Sequence, residues 1–167
     1  PAFGVATDLA TAPSFAEARV FFGVAVTGTW TTPARGPVSL VSIAIDTDLS
    51  GEPDFELRVE AWSRDGAFRD SLVTRVYNLA TGEVTGRHPI NISAPDVRQT
   101  HPFHSSVLVL DALLSEIGVD PENPLFGWTA TTERPDLMLT GEKVSGTYDA
   151  KNLLVDTTRH GKCHTPS

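Results

Sequence analysis

Acidic residues alternate along one short segment, Ile45-Asp-Thr-Asp-Leu-Ser-Gly-Glu-Pro-Asp54. Oxygen-bearing side chains stand at Asp46, Asp48, Ser50 and Asp54, and a glycine occupies position 51. Calcium binds roughly six to eight oxygen ligands, and alternate residues of a tight loop can turn their oxygens toward one centre. Glycine permits the sharp turn that such a loop requires. The spacing therefore predicts a calcium site on Asp46, Asp48, Ser50 and Asp54.

The same segment has a second interpretation as a bare turn. Asp, Ser and Gly form tight turns without any ion. The glutamate that ends a helix–loop–helix calcium site is also missing, because Leu57 stands at the twelfth position. The crowded carboxylates repel one another, and a bound cation would relieve that repulsion. Water can also relieve it. The sequence leaves both interpretations open.

Histidines form two further clusters of metal-binding residue types. His101 and His104 flank a Pro-Phe pair before an apolar run, but the sequence offers no third ligand nearby, and zinc needs at least three. An ordinary loop is the favoured interpretation. His160, Cys163 and His164 lie in the last eight residues, where a mobile tail is expected. There we expect only adventitious metal binding.

The catalytic motifs that depend on local spacing are absent. The chain has no Gly-x-Ser-x-Gly nucleophile elbow, and its nearest approach to a phosphate loop, Gly82–Gly86, lacks the Lys-Ser/Thr ending. We therefore expect the chain itself not to be an enzyme. Trp62 is the best candidate for an aromatic side chain that contacts a polysaccharide or protein ligand. The alternative is that it packs against the protein, as most tryptophans of β-sandwiches do.

The acidic segment lies between two predicted strands. Apolar and polar residues alternate from Phe55 to Trp62, which predicts a strand with one dry face and one wet face that carries Trp62. The more continuous apolar run Val38–Ile45 predicts a strand near the centre of a sheet. The acidic segment would thus be the loop that joins two neighbouring strands.

Short strand-like runs and turn signals continue along the chain. One helical stretch is predicted over 111–117, with Asp111 as its cap and Gly118 at its end. The further strand candidates are Arg19–Thr27, Ser71–Leu79, Glu83–Gly86, Ser105–Leu110, Leu125–Thr132, Val144–Tyr148 and Leu153–Asp156. This pattern predicts an all-β fold: an immunoglobulin-like β-sandwich of about 7–9 antiparallel strands with one short helical turn near 111–117.

Composition sets the broad class of the protein. The 167 residues carry a net charge of −8, which argues against nucleic acid and anionic membranes as partners, and the single cysteine excludes an internal disulfide. We expect an N-terminal extension over 1–18, one β-sandwich domain over 19–158 and a mobile tail over 159–167. The chain starts at Pro1 without a signal peptide, which suggests a domain cut from a longer protein.

Three segments together carry a resemblance. They are Val20-Phe-Phe-Gly-Val-Ala-Val-Thr-Gly-Thr-Trp-Thr-Thr-Pro33, the acidic segment with its flanks over 42–55, and Phe103-His-Ser-Ser-Val-Leu-Val-Leu-Asp-Ala-Leu-Leu-Ser-Glu-Ile-Gly118. In order and spacing they resemble an accessory β-sandwich module found after the catalytic domain of bacterial secreted subtilisin-like serine peptidases. The resemblance covers roughly Arg19 to Thr132.

The resemblance implies a non-catalytic, extracellular module that contributes stability, spacing or substrate contact. Its partners would be the catalytic domain of the parent chain and a protein or polysaccharide substrate. The family's triad would lie outside this chain, so no catalytic residue is carried over. The resemblance also implies calcium at the acidic loop. Leu49 and Ser50 depart from the pattern, because the family has Gly and Asp or Asn at these positions.

Overall fold

The described part of the chain consists almost entirely of β-strands. In the computed structural model, the described residues are 2–25, 34–35, 38–39, 41–64, 67–90, 92–94, 97–98, 107–134, 139–152 and 156–159. The strands in chain order are β1 (Ala2–Thr7), β2 (Arg19–Ala25), β3 (Ala34–Arg35), β4 (Val38–Ser39), β5 (Val41–Asp46), β6 (Phe55–Arg64), β7 (Ala67–Asn78), β8 (Val84–Pro89), β9 (Ile92–Ala94), β10 (Val97–Arg98), β11 (Val107–Leu113), β12 (Leu125–Arg134), β13 (Leu139–Asp149) and β14 (Asp156–Arg159).

These strands form two main antiparallel sheets. The smaller sheet has four strands in the order β11-β2-β1-β14, and the larger has six in the order β13-β12-β5-β6-β7-β8. Two-stranded hairpins, β3–β4 and β9–β10, complete the described strands. Strands β5 and β6 are neighbours in the interior of the larger sheet, so the acidic loop between them starts and ends on well-supported backbone.

The two sheets share one hydrophobic core. Phe22 of the smaller sheet and Trp128 of the larger sheet meet across it, with ring centroids 6.3 Å apart and planes tilted by 59°. Phe126 and Tyr148 lie on neighbouring strands of the larger sheet, with ring centroids 5.8 Å apart and planes tilted by 57°. Burial of apolar side chains from both sheets in one cluster is the arrangement of a sandwich. The predicted all-β sandwich with one short helical turn is therefore confirmed.

Strand β1 corrects the prediction that residues 1–18 are an extension outside the domain. This strand pairs with β2 over 2–7 and with β14 over 2–5, so it is an interior strand of the smaller sheet. Its sequence, AFGVAT, is short and contains one glycine and two alanines, which are weak strand formers. The connection that follows packs Leu9, Ala12 and Phe15 against the core.

The alternation along β6 is largely as predicted. Leu57 and Val59 are fully buried on the inner face, and Trp62 is 37% exposed on the outer face. Glu60 is the exception, because it is buried although it lies on the outer face. Its carboxylate accepts a hydrogen bond from the Tyr77 hydroxyl at 2.6 Å and pairs with Arg75 at 3.2 Å. A buried carboxylate is tolerated when it has such partners.

The helical turn is shorter than predicted and its cap is a different residue. A 3-10 helix spans Leu114–Ile117, and Gly118 ends it in the left-handed region at φ 69°. Asp111 belongs to β11, where it pairs with Phe21 of β2, so the prediction that it caps the helix is wrong. Leu113 is the N-cap residue, and Glu116 in the first turn reaches back so that its Oε2 accepts the Leu113 N–H at 2.9 Å. Leu114 and Ile117 are both buried.

Candidate metal site

The ends of the acidic loop are fixed by the backbone of the larger sheet. The Asp54 N–H donates to the Ile45 carbonyl at 2.8 Å, and the Leu79 N–H donates to the Asp54 carbonyl at 2.8 Å. Asp46 is the last residue of β5 and pairs with Gly127 of β12. These bonds hold the first and last acidic residues of the loop at neighbouring positions on the sheet.

Three of the four predicted ligands come together. Asp46, Asp48 and Asp54 each present a carboxylate oxygen, and these oxygens all lie within 4.8 Å of one another. Asp46 and Asp54 are half-buried, and Asp48 is exposed. Such a set offers only oxygen donors, which suits a hard cation such as calcium better than zinc or copper.

Backbone N–H groups of the loop orient all three of these carboxylates. Asp46 accepts the Ser50 N–H at 3.1 Å and the Gly51 N–H at 2.8 Å. Gly51 has φ 94°, a conformation that favours glycine, so the predicted role of this residue in the turn is confirmed. Asp54 Oδ2 accepts both the N–H and the hydroxyl of Thr47, at 2.8 Å and 2.6 Å.

Ser50 hydrogen-bonds its neighbours in the acidic loop, and its role as a calcium ligand stays a prediction. Its N–H donates to Asp48 Oδ1 at 3.0 Å, and hydrogen bonding from Ser50 lowers the pKa of the Asp48 carboxyl from its ordinary value. The Ser50 hydroxyl oxygen also accepts the Glu52 N–H at 3.4 Å. Ser50 therefore supports the loop through hydrogen bonds to both Asp48 and Glu52.

The donor chemistry of the loop fits a calcium ion. A carboxylate has about four lone-pair sites, and the loop N–H groups use only some of them on each Asp. The remaining sites of Asp46, Asp48 and Asp54 would be the ones that hold the ion. The same hydrogen bonds also describe a self-supporting turn, so the metal-free interpretation stays open alongside the calcium one.

Leu49 carries backbone strain at the tip of this loop. It has φ 57° and is 46% exposed, and among the described residues it is the one non-glycine residue with positive φ. A left-handed conformation costs an L-residue about 1–2 kcal/mol, and glycine avoids that cost.

Replacement of Leu49 by Gly is expected to raise the free energy of unfolding by about 0.5 kcal/mol. The relief of strain is offset in part by the greater freedom of glycine in the unfolded chain. Denaturant unfolding would measure the change. Leu49→Ala is the matched control, because it removes the same side chain but keeps Cβ. An equal gain in Leu49→Ala, or a loss in Leu49→Gly, would contradict the strain argument.

A cleft of about 560 Å³ lies beside the acidic loop. Asp48 and Leu49 line one side of it, and Asp120, Glu122 and Leu125 line another. Asp120 turns its own loop by accepting the N–H groups of Glu122 and Asn123 through Oδ1. The cleft adds carboxylates next to the loop, which increases the local negative potential.

Trp62 lies apart from the acidic loop. It sits in β6 where the register with β7 shifts between Ala61 and Ser63. The nearby polar groups on the same face are paired with one another: Glu60 bonds Tyr77 and Arg75, and Arg58 lies 5.0 Å from the centre of the Tyr77 ring. The exposure of Trp62 is as predicted, and its contact with a ligand stays a prediction. His101, His104, His160, Cys163 and His164 lie outside the described residues.

A polar network inside the sandwich was missed by the sequence analysis. Arg19 of β2 donates to Asp111 of β11 at 2.5 Å and to His88 Nδ1 of β8 at 3.0 Å. His88 Nε2 lies 2.6 Å from Glu116 Oε2. Arg19 and His88 are far in the chain from each other and from the pair Asp111 and Glu116, so spacing could not reveal the network. One signal existed: Asp111 interrupts the apolar run Val107–Leu114.

The two carboxyl groups of this network are shifted in opposite directions. Burial raises the pKa of Asp111, although the nearby His88 and Arg19 oppose the shift. Burial also acts to raise the pKa of Glu116, but the hydrogen bonds from His88 and the Leu113 N–H outweigh it, so that pKa is lowered. Glu116 therefore carries its charge at neutral pH, and Asp111 is the group whose charge is costly to bury.

Comparisons with known proteins find no match. No family model matches the chain, and the searches of curated proteins and of solved structures each find no similar protein. Within the described residues, no helix is long and apolar enough to cross a membrane.

Proposed function

We propose that the chain is a non-catalytic accessory β-sandwich module of a secreted hydrolase, with a structural calcium ion at the loop between β5 and β6. The convergence of Asp46, Asp48 and Asp54 carries the calcium part of this proposal, since their carboxylate oxygens lie within 4.8 Å of one another. Three negative charges at this separation repel one another, and a divalent cation would turn that repulsion into attraction.

The position of the loop supports a structural role for the ion. Asp46 ends β5 and Asp54 immediately precedes β6, so an ion held by both would tie together two interior strands of the larger sheet. Loops that close around an ion in the folded state stabilise that state by mass action. The parent enzyme, a subtilisin-like peptidase by the sequence resemblance, is part of the proposal and not a result of the comparisons.

Among the described residues, the burial of the one histidine, His88, supports a non-catalytic role. His88 is only 8% exposed, and both of its ring nitrogens are occupied by Arg19 and Glu116. A catalytic histidine must reach a substrate proton directly or through one water. Assays with protease, esterase and glycosidase substrates test this part of the proposal. Turnover that a single His or Ser substitution abolishes would contradict it.

Calcium is expected to stabilise the chelator-treated protein. At a calcium concentration about 100 times the dissociation constant, the free energy of unfolding rises by about 2.7 kcal/mol. For a chain of this size that corresponds to roughly 5–10 °C in Tm. Thermal unfolding and calorimetric titration with CaCl2 measure the two quantities. Absence of both binding heat and a Tm shift would leave the metal-free turn as the correct interpretation.

Asp46→Asn should weaken calcium binding at least about tenfold, because it removes one ligand charge. Asp149→Asn is the matched control, because this substitution makes the same change in net charge outside the carboxylate cluster. Asp149 is exposed and lies at the end of β13 that pairs with the start of β12. Equal loss in the two variants would show a general charge effect and not a site.

A further inference from the structure

Three arginines stand side by side on the outer face of the larger sheet and form what we call the arginine row. Arg58 of β6 lies directly opposite Arg75 of β7, and Arg75 lies opposite Arg87 of β8. Neighbouring strands are about 4.8 Å apart, so the row crosses three strands. Like charges directly opposite each other destabilise a sheet. A negatively charged partner would turn this repulsion into attraction.

Glutamates on the same face neutralise only part of the arginine row. Arg58 pairs with Glu56 at 2.5 Å, and Arg75 pairs with Glu60 at 3.2 Å. Arg87 is exposed and forms no ion pair with the described residues. Among the described side chains on the outer face of β6, β7 and β8, three arginines against two glutamates leave one positive charge. This surface is therefore cationic in a chain whose net charge is −8.

The guanidinium groups of the row keep donors for a further acceptor. A guanidinium has five N–H donors in a planar fork that matches the geometry of a carboxylate. The two ion pairs use only some donors of Arg58 and Arg75, whose side chains are 43% and 19% exposed. Arg75 Nε is buried without a hydrogen-bond partner among the described residues. An acidic group that approaches from solvent therefore meets Arg87 and the unused donors of its neighbours.

An aromatic side chain on the same face favours a polysaccharide as the partner. Trp62 follows Arg58 by four residues on β6, which places it about 13 Å along the strand, and its side chain is exposed. Its ring offers a flat apolar surface, on which the C–H groups of a sugar ring can pack. An extended peptide would instead add to a sheet edge through its backbone, whereas the row lies on the face of the sheet.

We propose that the outer face of β6, β7 and β8 binds an acidic polysaccharide, whose carboxylates contact the arginine row while a sugar ring packs on Trp62. The glutamate partners of Arg58 and Arg75 hold these two guanidinium groups in place, and Arg87 supplies the unpaired charge. The site is opposite in charge to the acidic loop. It requires neither a calcium ion nor the parent enzyme of the proposed function.

Calorimetric titration of the full chain with polygalacturonate tests the site. A chelator in the buffer prevents calcium from bridging the acidic groups of protein and ligand. We expect saturable binding whose affinity falls as the salt concentration rises. Fully methyl-esterified polygalacturonate keeps the sugar chain but loses the charges, so it should bind at least about tenfold more weakly. Equal binding of the two polymers, or no binding of polygalacturonate, would overturn the proposal.

Two charge variants assign the binding to the arginine row. Arg87→Gln removes the unpaired charge and should weaken polygalacturonate binding about tenfold. Lys143→Gln is the matched control, because it makes the same change in net charge on an exposed side chain of β13, at the opposite edge of the same sheet. It should change the affinity by less than about twofold. An equal loss in the two variants would show a general charge effect and contradict the site.

Trp62→Ala distinguishes a polysaccharide from an acidic peptide. The variant should weaken polygalacturonate binding about fivefold, because the sugar ring loses its apolar surface. Poly-L-glutamate is the peptide probe, and it should bind wild type more weakly than polygalacturonate does. Equal affinity for the two polyanions, or polygalacturonate binding that Trp62→Ala leaves unchanged, would show a general anion surface and refute the polysaccharide site.

Discussion

Replacement of Arg19 by Met is expected to lower the free energy of unfolding by about 3 kcal/mol at pH 7. The substitution keeps an apolar stem but leaves Asp111, whose side chain is 1% exposed, without its cation. An isolated buried carboxylate is costly, and protonation of Asp111 relieves part of that cost. Urea unfolding with a two-state analysis would measure the loss.

The loss should depend on pH in a direction set by Asp111. Burial raises its folded-state pKa above the ordinary value of 3.8, so stability from this group is present below pH 3.8 and is lost as the pH rises through the folded-state pKa. Without Arg19 the free-energy cost of burying the Asp111 charge grows. The difference in the free energy of unfolding between Arg19→Met and wild type is therefore largest at neutral pH. We expect it to narrow toward pH 4.

Two further variants complete this test. Arg19→Lys keeps the charge and should lose less stability than Arg19→Met. The double variant Arg19→Met/Asp111→Leu removes both ions and should recover much of the loss, because buried ion pairs can often be replaced by apolar residues. A loss below about 1 kcal/mol in Arg19→Met, or no recovery in the double variant, would mean that Asp111 does not depend on Arg19.

Phe22→Ala is expected to cost about 3–5 kcal/mol, or roughly 10 °C in Tm. Phe22 is 1% exposed and meets Trp128 from the opposite sheet, so the truncation opens a cavity between the two sheets. Phe22→Leu is the matched control and should lose less than half as much. A loss below about 1.5 kcal/mol in Phe22→Ala would show that the sheets do not pack at this point.

The sequence predicted those features that short-range patterns determine. The alternation from Phe55 to Trp62 assigned β6 and its two faces, because a period of two follows directly from strand geometry. The spacing of Asp46, Asp48 and Asp54 indicated a loop whose carboxylates converge, since the residues that orient them lie within a few positions. Gly118 ended the helical turn as its type suggested.

Long-range contacts were beyond the sequence patterns. Asp111 was taken for a helix cap because Asp before Leu-Leu favours that role, but its partner Arg19 lies 92 positions earlier in the chain. The sequence of β1 has only a weak strand preference, so it predicts an extension. The strand forms because it pairs with β2 and β14, and the sequence pattern does not reveal that pairing.

The terminal strands give the domain a direction of mechanical weakness. In the antiparallel pair β1–β14, Ala2 lies opposite Arg159, so a force that pulls these two residues apart loads one residue pair at a time. Such a pair unzips, whereas β1 stays held by its longer pairing with β2. The acidic loop lies at the opposite end, where the Thr7 hydroxyl donates to the Ala150 carbonyl at 3.3 Å and Asp149 lies beside the start of β12. Under tension, β14 would therefore detach from β1 first, and the carboxylate cluster would stay folded.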